Sequence, residues 1–213
     1  QSVSNLSQPD GSLSQADGSC FEVYWQTKLQ GTVSWDLIGI HNVYNALAAI
    51  AASRHAGVPA KYAIEALSDF KNVKRRLEKR GVKNNITVYD DFAHHPTAIK
   101  LTIDGLRRKV GKDRIIAILE PRSNTMKMQV HNQTLPAALG LADKVFLYLP
   151  EGYQNKFSDT LELLANKGHG YNEINSMIKD IVEQTKPGDH LLVMSNGGFE
   201  GIHLKLLEQI NGQ

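Results

Sequence analysis

The sequence predicts an α/β fold carried by a mostly parallel sheet, and three observations predict it. Beyond Gly81, short apolar runs alternate regularly with longer amphipathic stretches, as repeated strand–helix units require. Polar loops follow three of those runs, and the loops at the carboxyl ends of parallel strands are where such sheets bind ligands. The 213 residues, 41% hydrophobic and 22% charged, suit a soluble globular chain of one large or two small domains.

The elements follow in order. Residues 1–19, rich in Ser, Gln, Gly and Asp, read as a loop or frayed end. Residues 21–25 alternate and predict a strand, with residues 31–35 as its hairpin partner. A helix starts near His41 and Asn42, runs through Ala52 and stops at Gly57. Pro59 opens a second helix to about Phe70. The Ala-rich stripe over residues 46–52 reads as core. Residues 71–80 carry six basic side chains and one acidic, without a core pattern, and read as an interdomain linker. Strands are then expected near 85–90, 114–119, 143–149 and 190–194. Helices are expected near 96–110, 127–140, 173–185 and 200–210, with another near 158–167. Helices between the strands imply a sheet covered on both faces.

Composition excludes several function classes. A formal net charge of +2 gives no electrostatic case for a nucleic acid or a membrane surface as partner. No apolar stretch is long enough to span a bilayer, and the first residues lack the pattern of a signal peptide. The single cysteine, Cys20, rules out an intrachain disulfide and a cysteine-rich zinc site, and its place in a strand argues against a nucleophile. The cytoplasm is the expected location. The chain lacks an initiating methionine, so a fragment of a longer protein is expected.

Chemistry is most concentrated in Tyr89-Asp90-Asp91-Phe92-Ala93-His94-His95-Pro96, a strand-to-helix turn with two carboxylates and two imidazoles. Asp90 and Asp91 suit ribose hydroxyls or a magnesium ion, and His94 and His95 suit phosphate binding or proton transfer. The plain alternative is that one Asp caps the next helix and one His packs on the sheet. Asn42 and Asn45, three apart on one helix face, suit the edge of a purine, with N-capping by Asn42 as the alternative. Among the basic residues, an arginine at a hinge suits phosphate, while Lys71, Lys74 and Lys79 read as solvated. Arg122, Ser123 and Asn124 follow the 115–119 run with Lys127 and suit an anion; Asn196 stands in a Ser195-Asn196-Gly197-Gly198 loop that permits close backbone approach. His131, His169, His190 and His203 are scattered and show no metal-ligand spacing.

Three blocks in this order resemble the Mur ligases of peptidoglycan synthesis: His41-Asn42-Val43-Tyr44-Asn45-Ala46-Leu47-Ala48-Ala49, Arg75-Arg76-Leu77-Glu78, and Asp90-Asp91-Phe92-Ala93-His94-His95-Pro96. The 120–127 and 195–199 blocks are similar to members that take a murein tripeptide, while members that take L-alanine usually carry a His-Arg-aromatic pattern at the former. The resemblance covers about residues 20–210. It implies that residues 1–80 are the last part of a central ATPase domain plus a hinge, and that 81–213 are a Rossmann-like carboxyl-terminal domain. No Gly-x-x-Gly-Lys-[Ser/Thr] phosphate loop occurs in the sequence, so the chain by itself is expected not to turn over ATP.

By the same resemblance, ATP with magnesium drives amide-bond formation on UDP-N-acetylmuramate, with the magnesium ligands and further domains in upstream sequence. Asn42 and Asn45 would meet the adenine, Arg76 the phosphate, and Asp91 the ribose, with Asp90 beside it. His94 and His95 would lie near the nucleotide or the reacting groups, and Arg122, Ser123, Asn124, Lys127 and Asn196 near the peptide. Glu200 departs from the family pattern, which has glycine there. An L-alanine ligase and a non-catalytic nucleotide- or peptide-binding module remain as alternatives.

Overall fold

A computed structural model describes residues 17–122 and 134–210. Its contacts divide the chain into two compact units, one ending at Asn72 and including Asp104–Gly111, the other comprising Val73–Ile103 and the chain from Lys112. No described helix is long and apolar enough to cross a membrane.

In the first unit, β1 (Cys20–Trp25) and β2 (Lys28–Ser34) form an antiparallel hairpin. Its turn places Gln26 and Thr27 at φ 46° and 68°, the double left-handed geometry that two-residue hairpin turns need. Two helices, α1 (Ile40–His55) and α2 (Ala60–Ser68), cover the hairpin. Phe21, Val23, Val33, Val43, Ala46, Ile50 and Ile64 form the core between them. The alanine stripe is split: α1 buries Ala46 and Ile50, whereas Ala48, Ala49 and Ala52 are exposed. The expectation of core across 46–52 is corrected accordingly, because one hairpin offers α1 a single side to bury against.

The second unit contains a six-stranded sheet in the order β3-β4-β8-β5-β6-β7. Its strands are β3 (Glu78–Lys83), β4 (Ile86–Asp91), β5 (Ile115–Leu119), β6 (Lys144–Tyr148), β7 (Gly168–Tyr171) and β8 (His190–Met194). All neighbours pair in parallel except β3 and β4, which form an antiparallel hairpin. The fold is the mostly parallel α/β sheet that the alternating pattern predicts. Helices α3 (Pro96–Val110), α4 (Leu135–Leu139), α5 (Ser158–Leu164), α6 (Ile174–Gln184) and α7 (Ile202–Ile210) follow the expected order. The amino-terminal part of the helix expected over 127–140 lies outside the described residues up to 133.

Two strands were not expected. Residues 78–80 belong to β3 and not to a linker, because backbone pairing with β4 makes an edge strand without an apolar stripe. Lys79, Arg80 and Lys83 are exposed along it, and such charge protects a sheet edge from pairing with other chains. β7 is only four residues, Gly-His-Gly-Tyr, and carries no periodic signal. The central strands need no such help. Every residue of β5 is buried, and on one sheet face Val88, Ile118, Phe146 and Val193 pack against Met177 and Ile178 of α6 and Ile202 and Leu206 of α7.

Candidate functional site

The strand order sets β4, β8 and β5 side by side, so the three polar loops that follow them meet at one end of the sheet. Ser195 N donates to the Asp91 carbonyl at 3.2 Å, and Glu120 N donates to the Met194 carbonyl at 3.1 Å. The Ser195 hydroxyl donates to Glu120 Oε2 at 2.5 Å and accepts from Gly197 N at 2.8 Å. Three loops far apart in sequence are therefore one surface.

Consecutive residues of a strand face opposite sides, and the two aspartates at the end of β4 divide accordingly. Asp91 is 4% exposed. Its Oδ1 accepts from Ala93 N at 2.7 Å and from the Thr102 hydroxyl of α3 at 3.3 Å, while Oδ2 accepts from Leu77 N at 2.7 Å. Burial pushes its pKa above the ordinary value, against the pull of the Ala93 and Leu77 N–H groups and the Arg76 charge. A carboxylate offers about four acceptor positions, so three protein donors leave room for one more. Asp90 turns to the other side, where Oδ1 lies 3.4 Å from Arg75 Nε and 3.3 Å from His203 Nε2. Burial opposes ionisation, but His203 and Arg75 outweigh it and hold Asp90 below its usual range. Neither aspartate caps α3.

Arg75 and Arg76 both lie against the Phe92 ring, their guanidinium carbons 5.1 and 5.9 Å from its centre. Arg76 is exposed and Arg75 is half-buried. The Arg75 carbonyl accepts from Phe92 N at 2.9 Å, which ties this segment to the turn after β4. Phe92 also meets the His94 ring edge-on at 5.3 Å. His94 Nδ1 lies 2.9 Å from the Phe92 carbonyl. His95 is exposed, and its Nδ1 accepts from Thr97 N at 3.3 Å, in the first turn of α3. The structure thus brings Arg76, His94 and His95 to the same turn as Asp91.

On the neighbouring loops, Arg122 is exposed and packs over Gly197, where an added Cβ would meet Arg122 Nη1 at 2.5 Å. Asn196 is half-buried, and its Oδ1 is enclosed without a hydrogen-bond partner. Ser123, Asn124 and Lys127 lie outside the described residues. Glu200 follows Phe199 with both at positive φ, 44° and 48°. The Tyr148 phenol is pushed up by burial and by the carboxylates of Glu200, Glu120 and Glu173. Gly197→Ala forces the flexible end of Arg122 aside at little cost to folding. Gly197→Ala is therefore expected to unfold in urea within about 1 kcal/mol of the wild type; a loss above about 2 kcal/mol would show that Arg122 cannot yield.

Asn42 and Asn45 belong to the first unit. Helix α1 begins at Ile40 after Gly39, so Asn42 is inside the first turn and is not the N-cap. Its amide donates to the Ile38 carbonyl at 2.8 Å, and its Oδ1 accepts from Asn45 at 3.4 Å. The pair presents a coupled amide surface with Asn45 exposed.

Sequence reasoning missed two members of the second unit's cluster, Thr102 and His203. Their partners are 11 and 113 residues away, across helix–strand packing that no local spacing reveals. Among the described residues, no group of three or more His, Cys, Asp or Glu is arranged to hold a metal ion.

The family described as Mur ligase, glutamate ligase domain, matches residues 75–197. The chain is 50% identical over 193 residues to the UDP-N-acetylmuramate–L-alanyl-γ-D-glutamyl-meso-2,6-diaminoheptandioate ligase of Escherichia coli K12, covering 90% of this chain and 42% of that protein. It is 47% identical over 195 residues to the ligase of the same description from Haemophilus influenzae, covering 91% and 43%. The crystal structure of a murein peptide ligase from Psychrobacter arcticus 273-4 superposes with a TM-score of 0.69 at 42% identity, covering 95% of this chain and 44% of that one. The chain spans less than half the length of these relatives.

Proposed function

This chain belongs to the Mur ligase family, and from that premise we propose that it serves an ATP-dependent ligase joining UDP-N-acetylmuramate to L-alanyl-γ-D-glutamyl-meso-diaminopimelate. The observation that carries this reading is the 50% identity to a ligase described by that peptide, extending over 90% of the chain. The surface formed by the loops after β4, β8 and β5 supports it, because it sets guanidinium, carboxamide and imidazole groups side by side. Residues up to 77 are read as the end of the central domain with its hinge, and the chain from β3 onward as the carboxyl-terminal domain, the expected boundary at 80 moving to the start of β3.

In the proposed reaction the γ-phosphoryl group of ATP passes to an oxygen of the lactyl carboxylate, giving an acyl phosphate and ADP. The peptide amine then attacks the carbonyl carbon, loses a proton and expels inorganic phosphate. The residues of this chain bind and orient. Arg76, exposed beside Phe92, offsets phosphate charge, which is where such catalysis gains most. Asp91 spends its remaining acceptor position on a ribose hydroxyl, with Asp90 behind it. Asn42 and Asn45 meet adenine. His94 and His95 act near the reacting groups. Arg122 and Asn196, with Ser123, Asn124 and Lys127, hold the peptide. Magnesium, which the family uses, offsets phosphate charge when bound; no step is assigned through it, because the described residues offer no cluster for it.

The test is positional isotope transfer in the full-length protein. UDP-N-acetylmuramate labelled with ¹⁸O in its lactyl carboxylate is expected to deliver one ¹⁸O to the released phosphate. Phosphate without label would overturn the acyl phosphate route.

A further inference from the structure

His203, which lies beyond the residues 75–197 matched by the family, meets the same aspartate oxygen as Arg75. It sits on α7, is 8% exposed, and places Nε2 3.3 Å from Asp90 Oδ1. Arg75 Nε reaches that oxygen at 3.4 Å. Arg75 also donates through Nη2 to the Ser195 carbonyl at 2.5 Å and lies over the Phe92 ring. Its backbone is held as firmly: Arg75 N donates to Glu78 Oε2 at 2.9 Å, and its carbonyl accepts from Phe92 N. The residue stands at φ 59° and Leu77 at φ 47°, a left-handed geometry that non-glycine residues keep only where surrounding contacts hold it.

The chain of contacts thus runs from α7 through Asp90 to Arg75, and from Arg75 to the loop after β8 and the turn after β4. The Asp90 carboxylate is 5% exposed and accepts from Arg75 Nε. His203 Nε2 is enclosed against the same oxygen at ion-pair distance, without hydrogen-bond geometry to it, and its attraction narrows where the carboxylate can sit. The next residue along the held segment is Arg76.

We infer that His203 is a positioning residue for the proposed ligation: by fixing the Asp90 carboxylate it holds Arg75, and so sets where Arg76 presents its guanidinium to the nucleotide. The inference rests on the proposed phosphate role of Arg76. His203 itself touches no substrate in this account. Its contribution is polar, so a polar side chain of similar reach replaces it, and an apolar one of similar bulk does not.

The test compares His203→Leu with His203→Gln in the full-length protein, varying ATP. Loss of one charge-assisted contact is expected to raise KM for ATP about tenfold in His203→Leu, with His203→Gln within about twofold of the wild type. Equal effects of the two variants, or no effect of His203→Leu, would overturn the inference. A second readout does not depend on ligase activity. In the ¹⁵N-labelled 213-residue chain, the Arg75 Nε–H signal, assigned by its absence in Arg75→Lys, is expected to resist solvent exchange in the wild type and His203→Gln and to lose that protection in His203→Leu. Unchanged protection in His203→Leu would overturn the positioning role. If the wild type ligates nothing, the proposed function falls, and the exchange measurement still decides whether His203 holds Arg75.

Discussion

Asp91→Ala is expected to remove most of the stability of the unit that carries the six-stranded sheet. The side chain is 4% exposed and satisfies three donors: Leu77 N, Ala93 N and the Thr102 hydroxyl. Alanine leaves them without a partner, at about 1–3 kcal/mol for each that water does not reach. Against the roughly 5–15 kcal/mol by which domains are stable, that is a large fraction. Urea unfolding followed by far-ultraviolet circular dichroism checks it, since both tryptophans, Trp25 and Trp35, lie in the other unit. Asp91→Asn keeps one acceptor oxygen and is expected to fall between the two. A midpoint unchanged in Asp91→Ala would show that the carboxylate is not what holds residue 77 to β4.

The two aspartates respond to pH with opposite sign. Burial raises Asp91, so its ionisation works against the folded state; its contribution is complete below the ordinary value of 3.8 and declines as pH rises through its folded pKa. Asp90 is lowered despite its burial, by His203 and Arg75, so its contribution is complete above 3.8 and is lost as pH falls through its folded pKa. Asp90→Asn is therefore expected to flatten the acid limb of a stability–pH profile.

Arg76→Ala in the full-length protein is expected to lower kcat/KM for ATP about a hundredfold or more, the usual result of removing one preorganised donor from a developing anion. Arg76 is exposed, with its guanidinium carbon 5.9 Å from the Phe92 ring centre, so its loss is expected to cost folding less than about 1 kcal/mol. Arg76→Lys keeps the charge without the planar two-pronged donor and is expected to lose about tenfold. Steady-state ADP release measures both. An Arg76→Ala enzyme within threefold of the wild type would remove Arg76 from the phosphate.

What was legible in the sequence is what local pattern encodes. β4, β5 and β8 are short apolar runs, and their carboxyl ends carry the polar loops, so the architecture and the turn after β4 follow from residues 85–96, 115–122 and 190–198. β3 was hidden because a basic edge strand has no core side to show, and β7 because four residues cannot show a period. The exposed alanines of α1 carry the composition of a core without its burial. The cluster behind the candidate site was hidden for another reason. Asp90 with His203 and Arg75 with Ser195 are contacts across 113 and 120 residues, made by sheet order and by α7 packing on β4.

The choice of nucleophile tests the central reading most directly. Phosphate release from ATP by the full-length protein, with UDP-N-acetylmuramate saturating, is expected to depend on L-alanyl-γ-D-glutamyl-meso-diaminopimelate and to stay at background with L-alanine. Release driven by L-alanine and not by the tripeptide would contradict it.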